Sequence, residues 1–204
     1  MPDFSFETEA SSQGYRAIAG VDEVGRGPLC GPVTAAAVIL DPDQIPDGLR
    51  DSKKLTDRKR RQLYAQIIET AMVGVAHATV AEIEEINILQ ASHLAMIRAI
   101  ENLSKPVDFV LIDGNRAPIN LIIPSTCVVK GDDRSLSIAA ASIVAKITRD
   151  DLMFELDAMY PGYGWAKNAG YPTKEHLVAL KSLGITPHHR RSFKPVHNIL
   201  YQEE

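Results

Sequence analysis

The sequence predicts an α/β fold built around a mixed β-sheet. Short apolar runs with strand character alternate along the chain with longer segments whose apolar residues recur at helical spacing, which is typical of α/β proteins. The first two strand-like runs, residues 15–21 and 33–40, are separated by a bend rich in glycine and proline. These runs are expected to pair as an antiparallel hairpin, whereas strands joined by helices can pair in parallel, so the sheet should be mixed.

The remaining elements follow from the same periodicities. Further strands are predicted in short apolar or alternating runs: 73–80, 109–112 and 126–129. Helices are predicted where apolar side chains recur every three or four residues: 57–71, 81–103, 135–159 and 173 to about 184. Residues 1–14 show neither pattern and are expected to form a loose arm.

The composition limits the class of protein. A chain of 204 residues, 45% of them hydrophobic, can form one domain with a full core and at most an appendage. No apolar run approaches the ~20 residues that a membrane span needs, and the polar, acidic N-terminus does not resemble a signal peptide. Cys30 and Cys127 form no pattern with each other or with histidines, which disfavours a disulfide framework and a zinc site. We therefore expect a cytoplasmic protein that does not act at a membrane.

The charge balance also constrains what the protein can bind. Its formal net charge is -4, which does not indicate a surface coated for non-specific nucleic-acid binding. A polyanion would have to contact local basic patches, with cations offsetting any nearby acids. Residues 58–61 and 187–194 are such basic stretches, although a solvated surface explains them as readily.

Acidic side chains follow three of the predicted strands. Asp22 and Glu23 come directly after the first strand, Asp113 follows the fourth, and Asp132 lies shortly after the fifth. In open α/β sheets, ligands bind at the carboxyl ends of the strands, so these acids are expected to converge. Clustered carboxylates raise one another's pKa unless a cation lies among them. Each acid alone is more readily explained as a turn residue at a strand end, but three such placements together favour a metal site.

The expected metal follows from the ligand type. Oxygen-only ligands suit a hard ion such as Mg²⁺ or Mn²⁺. Two such ions, ~3.5–4 Å apart, would serve an in-line displacement at phosphorus. The stretch from Gly20 to Pro32, which reads G-V-D-E-V-G-R-G-P-L-C-G-P, adds an arginine and glycines that allow a close backbone approach to a ligand. A hairpin turn with solvated acids is the alternative interpretation of this stretch.

Several motifs together resemble the ribonuclease HII family, the type 2 ribonucleases H. The resemblance covers residues 17–196, in order, and is carried by these motifs: G-V-D-E-V-G-R-G-P-L-C-G-P, D-S-K-K-L, L-I-D-G-N, K-G-D-D-R-S-L-S-I-A-A-A-S-I-V-A-K-I-T-R-D, G-Y-P-T-K-E-H and H-H-R-R-S-F. A single G-R-G would be a weak signal, whereas this ordered set is very specific.

The resemblance implies a ribonuclease H-like fold: a five-stranded mixed sheet flanked by helices, with a C-terminal helical extension. Residues 15–160 would form the catalytic domain, and residues 161–204 a helical, basic extension packed on it. The family's metal-binding carboxylates correspond to Asp22, Glu23, Asp113 and Asp132. The implied activity is metal-dependent cleavage of the RNA strand of RNA/DNA hybrids and of DNA duplexes on the 5′ side of an embedded ribonucleotide. The products would carry 3′-hydroxyl and 5′-phosphate ends, and the protein is expected to be a monomer.

The resemblance also implies which residues contact nucleic acid. Gly25, Arg26 and Gly27, here called the GRG loop, would approach the ribose 2′-hydroxyl, the group that distinguishes RNA from DNA. Tyr171 would stack on the sugar that follows the ribonucleotide. The expected phosphate contacts are Lys53, Lys54, Lys146, Arg190 and Arg191, for each of which solvated surface charge is an equal alternative.

The sequence departs from the family pattern in places. Asn168-Ala169 stands where histidine-lysine often occurs, which removes one basic phosphate contact. Asp133 lies beside Asp132, so either of these two residues could be the family's fourth metal-binding carboxylate, and Asp132 is preferred because it follows Lys130-Gly131 directly. The alternative function is a type 3-like enzyme that cuts only longer hybrids. A non-catalytic nucleic-acid-binding module is disfavoured because unneutralised clustered acids would repel a polyanion, and a nucleotide-binding phosphohydrolase is disfavoured because the chain has no G-x-x-x-x-G-K-[ST] loop.

Overall fold

A five-stranded mixed sheet forms the centre of the protein, as the computed structural model shows for residues 1–201. Its strands are β1 (Ile18–Val24), β2 (Val33–Ile39), β3 (Met72–Ala78), β4 (Phe109–Asp113) and β5 (Ser125–Val128). They lie in the order β3-β2-β1-β4-β5. The pairs β1–β2 and β2–β3 are antiparallel, whereas β1–β4 and β4–β5 are parallel. The mixed sheet predicted from the hairpin is therefore confirmed.

Helices cover both faces of the sheet. They are α1 (Ser5–Ser12), α2 (Asp57–Thr70), α3 (Val80–Glu101), α4 (Leu136–Met159), α5 (Trp165–Asn168), α6 (Lys174–Leu183) and α7 (Lys194–Leu200). Alternate residues of β2 face opposite layers: Ala35 and Ala37 pack with α3, whereas Ala36 and Val38 pack with α2 and α4. Within residues 1–201, no helix has the length and apolar character that crossing a membrane requires.

Helix α4 approaches β1 so closely that the contact requires glycine. A Cβ atom on Gly20 would lie 2.2 Å from the backbone carbon of Ser137. The next turn of α4 contains Ala139, Ala140 and Ala141, all fully buried, and small side chains on both sides let helix and strand pack at this distance. This contact holds α4 directly against β1, whose last three residues include Asp22 and Glu23.

The C-terminal segment packs on the rest of the chain through its own apolar cluster. Leu29 and Cys30, which follow the GRG loop, pack with Met153 of α4 and with Trp165, Leu180 and Val196 of α5, α6 and α7. The predicted helix at 173–184 corresponds to α6, while α5 and α7 were not predicted because each is one or two turns long. The predicted division at residue 160 stays a prediction.

The N-terminal residues form a helix, so the prediction of a loose arm was wrong. Glu7 of α1 is buried, and its Oε1 accepts hydrogen bonds from Ser135 Oγ at 2.6 Å and from the backbone N–H of Ser137 at 2.9 Å. A carboxylate at the N-terminus of α4 is favoured because the helix dipole and unpaired N–H groups are positive there. The partners are 128 residues apart, so nothing local in the sequence reveals the contact.

We expect Glu7→Ala to lower the free energy of unfolding by about 1–3 kcal/mol, because it leaves buried donors at the start of α4 without an acceptor. Urea unfolding followed by circular dichroism would measure this loss. Glu9→Ala, on the exposed side of the same helix, is the matched control and should change stability little. Equal losses in the two variants would show that α1 does not depend on this contact.

Candidate active site at the carboxyl end of the central strands

Four carboxylates meet at one edge of the sheet. Strands β1 and β4 are parallel neighbours in which Val21 pairs with Ile112, so the residues that follow, Asp22 and Asp113, lie side by side. Asp132 reaches the same edge from a single 3₁₀ turn, Gly131–Asp133, that follows β5. The backbone N–H of Gly131 donates to Asp113 Oδ1 at 2.7 Å, which joins this turn to the end of β4. We call Asp22, Glu23, Asp113 and Asp132 the carboxylate cluster.

The electrostatics of the cluster are unfavourable for the protein alone. Burial raises the pKa of Asp22 well above its ordinary value, and the charges of Glu23, Asp113 and Asp132 raise it further. Burial and then the charge of Asp113 raise the pKa of Asp132 to about 6. Burial also raises the pKa of Glu23, against the opposing effect of Arg26, which is 3.2 Å from Glu23 Oε1. An arrangement that penalises its own negative charges is suited to binding cations.

The structure separates Asp132 from its neighbour Asp133. The carboxylate of Asp133 forms an ion pair with Lys54, and this hydrogen bond lowers its pKa. Asp132 instead interacts with Asp113 and Asp51 and lies inside the cluster. The ion pair of Asp133 with Lys54 favours Asp132 as the fourth member of the cluster, which stays a prediction, and the Lys54 ammonium is already paired.

Two cavities adjoin the cluster, and Glu23 lines both. One, of about 220 Å³, is lined by Asp22 and Glu23 together with Lys53, Lys146 and Tyr171. The other, of about 320 Å³, is lined by Glu23 and Asp113 together with Arg26, His93 and Arg116. Seven of the predicted site residues thus line one or both of these cavities. Lys146 is also paired with Asp150, at 2.7 Å.

Arg190 has a different position from the one expected for a phosphate contact. It is fully buried, and its guanidinium donates to the carbonyl oxygens of Gly25, Pro28 and Gly31 at 2.6–2.8 Å and to that of Arg26 at 3.1 Å. With its donors used by backbone oxygens, Arg190 cannot contact a phosphate, and that prediction was wrong. Arg191, the next residue, is exposed. Charge alone did not distinguish them, because the carbonyls that bind Arg190 lie far away in sequence.

Arg149 was not selected from the sequence, yet it joins two parts of the site. It is fully buried and donates to the carbonyl oxygens of Cys30 at 3.1 Å, Pro32 at 3.0 Å and Ala169 at 2.9 Å. It therefore connects the segment after the GRG loop to the segment that carries Tyr171. The helical spacing in the sequence indicates this buried position, because Arg149 lies four residues from the apolar positions Ala145 and Met153 on the buried face of α4.

Tyr171 and the GRG loop form one surface. The ring of Tyr171 packs beside Gly27, where an added Cβ atom would lie 3.3 Å from its Cε1, and the residue is 42% exposed. Asn168 does not reach this surface: its Nδ2 donates to the Tyr163 carbonyl and its Oδ1 accepts from the N–H of Gly170, both at 2.8 Å. Asn168 therefore shapes the segment before Tyr171 instead of replacing a phosphate contact.

Comparisons with known proteins agree with the resemblance. The sequence model of the family described as ribonuclease HII matches residues 19–196. A ribonuclease HII from Ruegeria pomeroyi is 61% identical over 202 residues, covering 99% of this chain and 86% of the relative. A ribonuclease HII from Magnetococcus marinus is 59% identical over 203 residues, covering 98% of this chain and 95% of the relative.

Solved structures show the same fold. The crystal structure of ribonuclease H2 from Pyrococcus horikoshii OT3 aligns with a TM-score of 0.76 at 26% identity, covering 93% of this chain and all of that one (100%). The crystal structure of Bst-RNase HIII in complex with Mn²⁺ aligns with a TM-score of 0.70 at 20% identity, covering 94% of this chain and 71% of that one. Given the family match, the identity over nearly the whole chain and this fold, the chain is a ribonuclease H endonuclease and belongs to the ribonuclease HII family.

Proposed function

We propose that this ribonuclease H cuts the RNA strand of RNA/DNA hybrids and also cuts duplex DNA on the 5′ side of a single embedded ribonucleotide. It would act with two divalent ions, Mg²⁺ or Mn²⁺, and leave 3′-hydroxyl and 5′-phosphate ends. The observation that carries the proposal is the carboxylate cluster, in which acids from three strand ends share one site beside the GRG loop and Tyr171. A reducing cytoplasmic location and a monomeric state stay predictions from the sequence.

The residues of the cluster fit the proposed ions. All four side chains offer hard oxygen ligands, which Mg²⁺ and Mn²⁺ prefer. The raised pKa values of Asp22, Glu23 and Asp132 indicate that the site lacks compensating positive charge of its own, which bound cations would supply. When bound, the ions would activate water and stabilise charge on the phosphodiester that is cleaved.

The GRG loop would identify the ribose through its backbone. The φ of Gly25 is +97°, and an added Cβ atom would lie 2.2 Å from Arg149 Nε, so a larger residue would displace the loop. Arg190 fixes the carbonyls of Gly25 and Arg26 from below, so little reorganisation is needed when a ligand binds. A rigid backbone close to the sugar is what recognition of a single 2′-hydroxyl needs.

Basic side chains on both sides of the cluster would bind the flanking phosphates. Lys53 and Lys146 line one cavity with Asp22, and Arg26 lines the other with Asp113. Burial lowers the pKa of Lys53, but the nearby charges of Asp22 and Asp51 outweigh this effect and raise it, so the ammonium stays charged. Lys54 and Arg191 lie on the exposed surface and are the outer candidates for phosphate contacts.

The first experiment uses a DNA duplex with one embedded ribonucleotide, beside a full RNA/DNA hybrid, with and without EDTA. We expect a metal-dependent single cut on the 5′ side of the ribonucleotide. Cutting of the hybrid alone would replace the proposal with the type 3-like alternative. In the same assay, Asp113→Asn should lower cleavage at least about a thousandfold, because it removes a charged ligand from the cluster.

Binding and a neighbouring acid provide the controls for Asp113→Asn. The variant should still bind the duplex in a mobility-shift assay, because Asp113 is proposed to hold metal and not the strand. Asp133→Asn changes an acid outside the cluster and should retain most of the activity. Substantial turnover by Asp113→Asn with Mg²⁺ present would contradict the metal assignment.

Tyr171→Ala should lower the rate at single ribonucleotides more than the rate on long hybrids. We expect the ratio of the two kcat/KM values to fall about tenfold, because a stacking contact contributes about 1–3 kcal/mol. Tyr171→Phe keeps the ring and should keep the ratio. An equal loss on both substrates in Tyr171→Ala would contradict a role at the junction.

Asp132→Asn should stabilise the metal-free protein at pH 8. The pKa of about 6 in the folded protein lies above the ordinary 3.8, so the contribution of Asp132 to stability is complete below about pH 4 and is lost as the pH rises through about 6. The neutral amide avoids that loss, and we expect Tm in EDTA to rise by about 2–4 °C at pH 8 and by less at pH 5.

Thermal unfolding at the two pH values measures this difference. Added Mg²⁺ should raise Tm more in the wild-type protein than in Asp132→Asn, because the stabilisation by a bound ligand grows with the logarithm of its affinity. If the difference in Tm between Asp132→Asn and the wild-type protein were the same at pH 5 and pH 8, the pKa of Asp132 would not be raised in the folded protein.

A further inference from the structure

A cluster of metal-ligand side chains lies outside the carboxylate cluster, beneath Tyr171. The ligand atoms of Cys30, His176 and His189 all lie within 4.8 Å of one another, and all three residues are buried. This spacing is compatible with a metal ion, so the protonation of each atom decides what the cluster does.

The proton of each histidine ring follows from its partners. The backbone N–H of Thr186 donates to His189 Nδ1 at 2.9 Å, so the proton of this neutral ring lies on Nε2. Nδ1 of His176 lies 2.9 Å from the carbonyl oxygen of Tyr171, which can only accept, so the proton of His176 lies on Nδ1. Burial lowers the pKa of both rings, that of His189 to about 4, which keeps them neutral.

These protons leave no lone pair for a metal. His176 Nε2 accepts from Trp165 Nε1–H at 3.1 Å and lies 3.2 Å from the protonated Nε2 of His189. Every ring nitrogen of the two histidines therefore has a hydrogen-bond partner. Burial also raises the pKa of the Cys30 thiol to about 12, which disfavours the thiolate that a metal requires.

The cluster is instead a chain of hydrogen bonds that ends at Tyr171. Trp165 Nε1–H and His189 Nε2–H share the single lone pair of His176 Nε2, and His176 Nδ1–H donates to the Tyr171 carbonyl. We infer that His176 is a positioning residue that holds Tyr171 in place for the discrimination of a single ribonucleotide from a long hybrid. This inference rests on the proposed function of Tyr171.

Tyr171 needs such support because the segment before it is strained. Ala169 has φ +48° and Gly170 has φ +82°, and a left-handed conformation is unfavourable for alanine. The exposed ring itself packs beside Gly27, which has no side chain to hold it. His176 lies in the first turn of α6 and so ties the Tyr171 backbone to a regular helix.

Two conservative substitutions of His176 separate positioning from packing. His176→Gln places its amide near the position of Nε2, keeps the contacts to Trp165 and His189, and loses the donor to Tyr171. His176→Asn places its amide near Nδ1 and keeps that donor. We expect the ratio of kcat/KM at a single ribonucleotide to kcat/KM on the hybrid to fall about three- to tenfold in His176→Gln and to stay within about twofold in His176→Asn.

Tyr163→Phe is the matched control within the same aromatic cluster. The Tyr163 ring stacks on Trp165, and its hydroxyl donates to the Gly184 carbonyl at 3.0 Å, away from Tyr171. This variant should lose stability and keep the ratio. An unchanged ratio in His176→Gln, or an equal fall in all three variants, would overturn the inference.

The wild-type protein provides a test that does not depend on the folding of variants. Long-range ¹H–¹⁵N NMR spectra should show His176 protonated on Nδ1 and His189 protonated on Nε2. The opposite tautomers would overturn the inference. It would also be overturned if the purified wild-type protein retained one zinc ion per chain and the Cys30→Ser variant did not. A wild-type protein that cuts only the hybrid would instead contradict the proposed function, while leaving the observed tautomers as they are.

Discussion

Two buried guanidinium groups hold together the surface that the GRG loop and Tyr171 form. Arg190 and Arg149 carry positive charge into the interior, which is costly unless every donor finds an acceptor. Here the acceptors are backbone carbonyls of a segment that cannot form regular structure because of its glycines and prolines. Burial and then the charge of Arg149 lower the pKa of Arg190 to about 9, so the group is still charged at neutral pH. The loop and the C-terminal segment thus depend on each other for hydrogen bonds.

The site combines two regions with opposite physical character. The carboxylate cluster concentrates negative charge at the end of rigid strands, and the tight packing of α4 on Gly20 holds that arrangement against its own repulsion. Beneath Tyr171, Trp165, His176 and His189 form a network of neutral donors and acceptors in an aromatic environment, beside the guanidinium of Arg149 that binds the Ala169 carbonyl. A charged site suits metal and phosphate, whereas a neutral, fully bonded network can fix one side chain without attracting ions. In the proposed function, cleavage would therefore depend on the carboxylate cluster, whereas recognition of a single ribonucleotide would depend on the hydrogen-bond network beneath Tyr171.

The sequence alone was sufficient to predict the mixed sheet, to select Asp22, Glu23 and Asp113, and to limit the fourth acid to Asp132 or its neighbour, because strand ends, hairpin bends and helical periodicity are local features. The sequence also identified the family, because the family's motifs occur in order along nearly the whole chain. It failed where a residue's role depends on a distant partner. Arg190 was predicted to be a surface cation, but backbone carbonyls of the GRG loop bind it. The N-terminal residues were predicted to form a loose arm, but Glu7 binds serines at the start of α4.

The difference has a physical reason. A carboxylate at the end of a buried strand is directed to the edge of the sheet by the strand itself, so its position is determined by the residues around it. A buried arginine or a helix-capping glutamate acts through a partner that folding alone brings near. His176 lies only five residues from Tyr171, but the turn that precedes α6 decides that its ring reaches the tyrosine carbonyl. The sequence therefore determined the sheet, the edge at which its acids meet and the family, whereas tertiary structure decided that Asp133 pairs with Lys54, that Arg190 supports the GRG loop, and that His176 ties Tyr171 to α6.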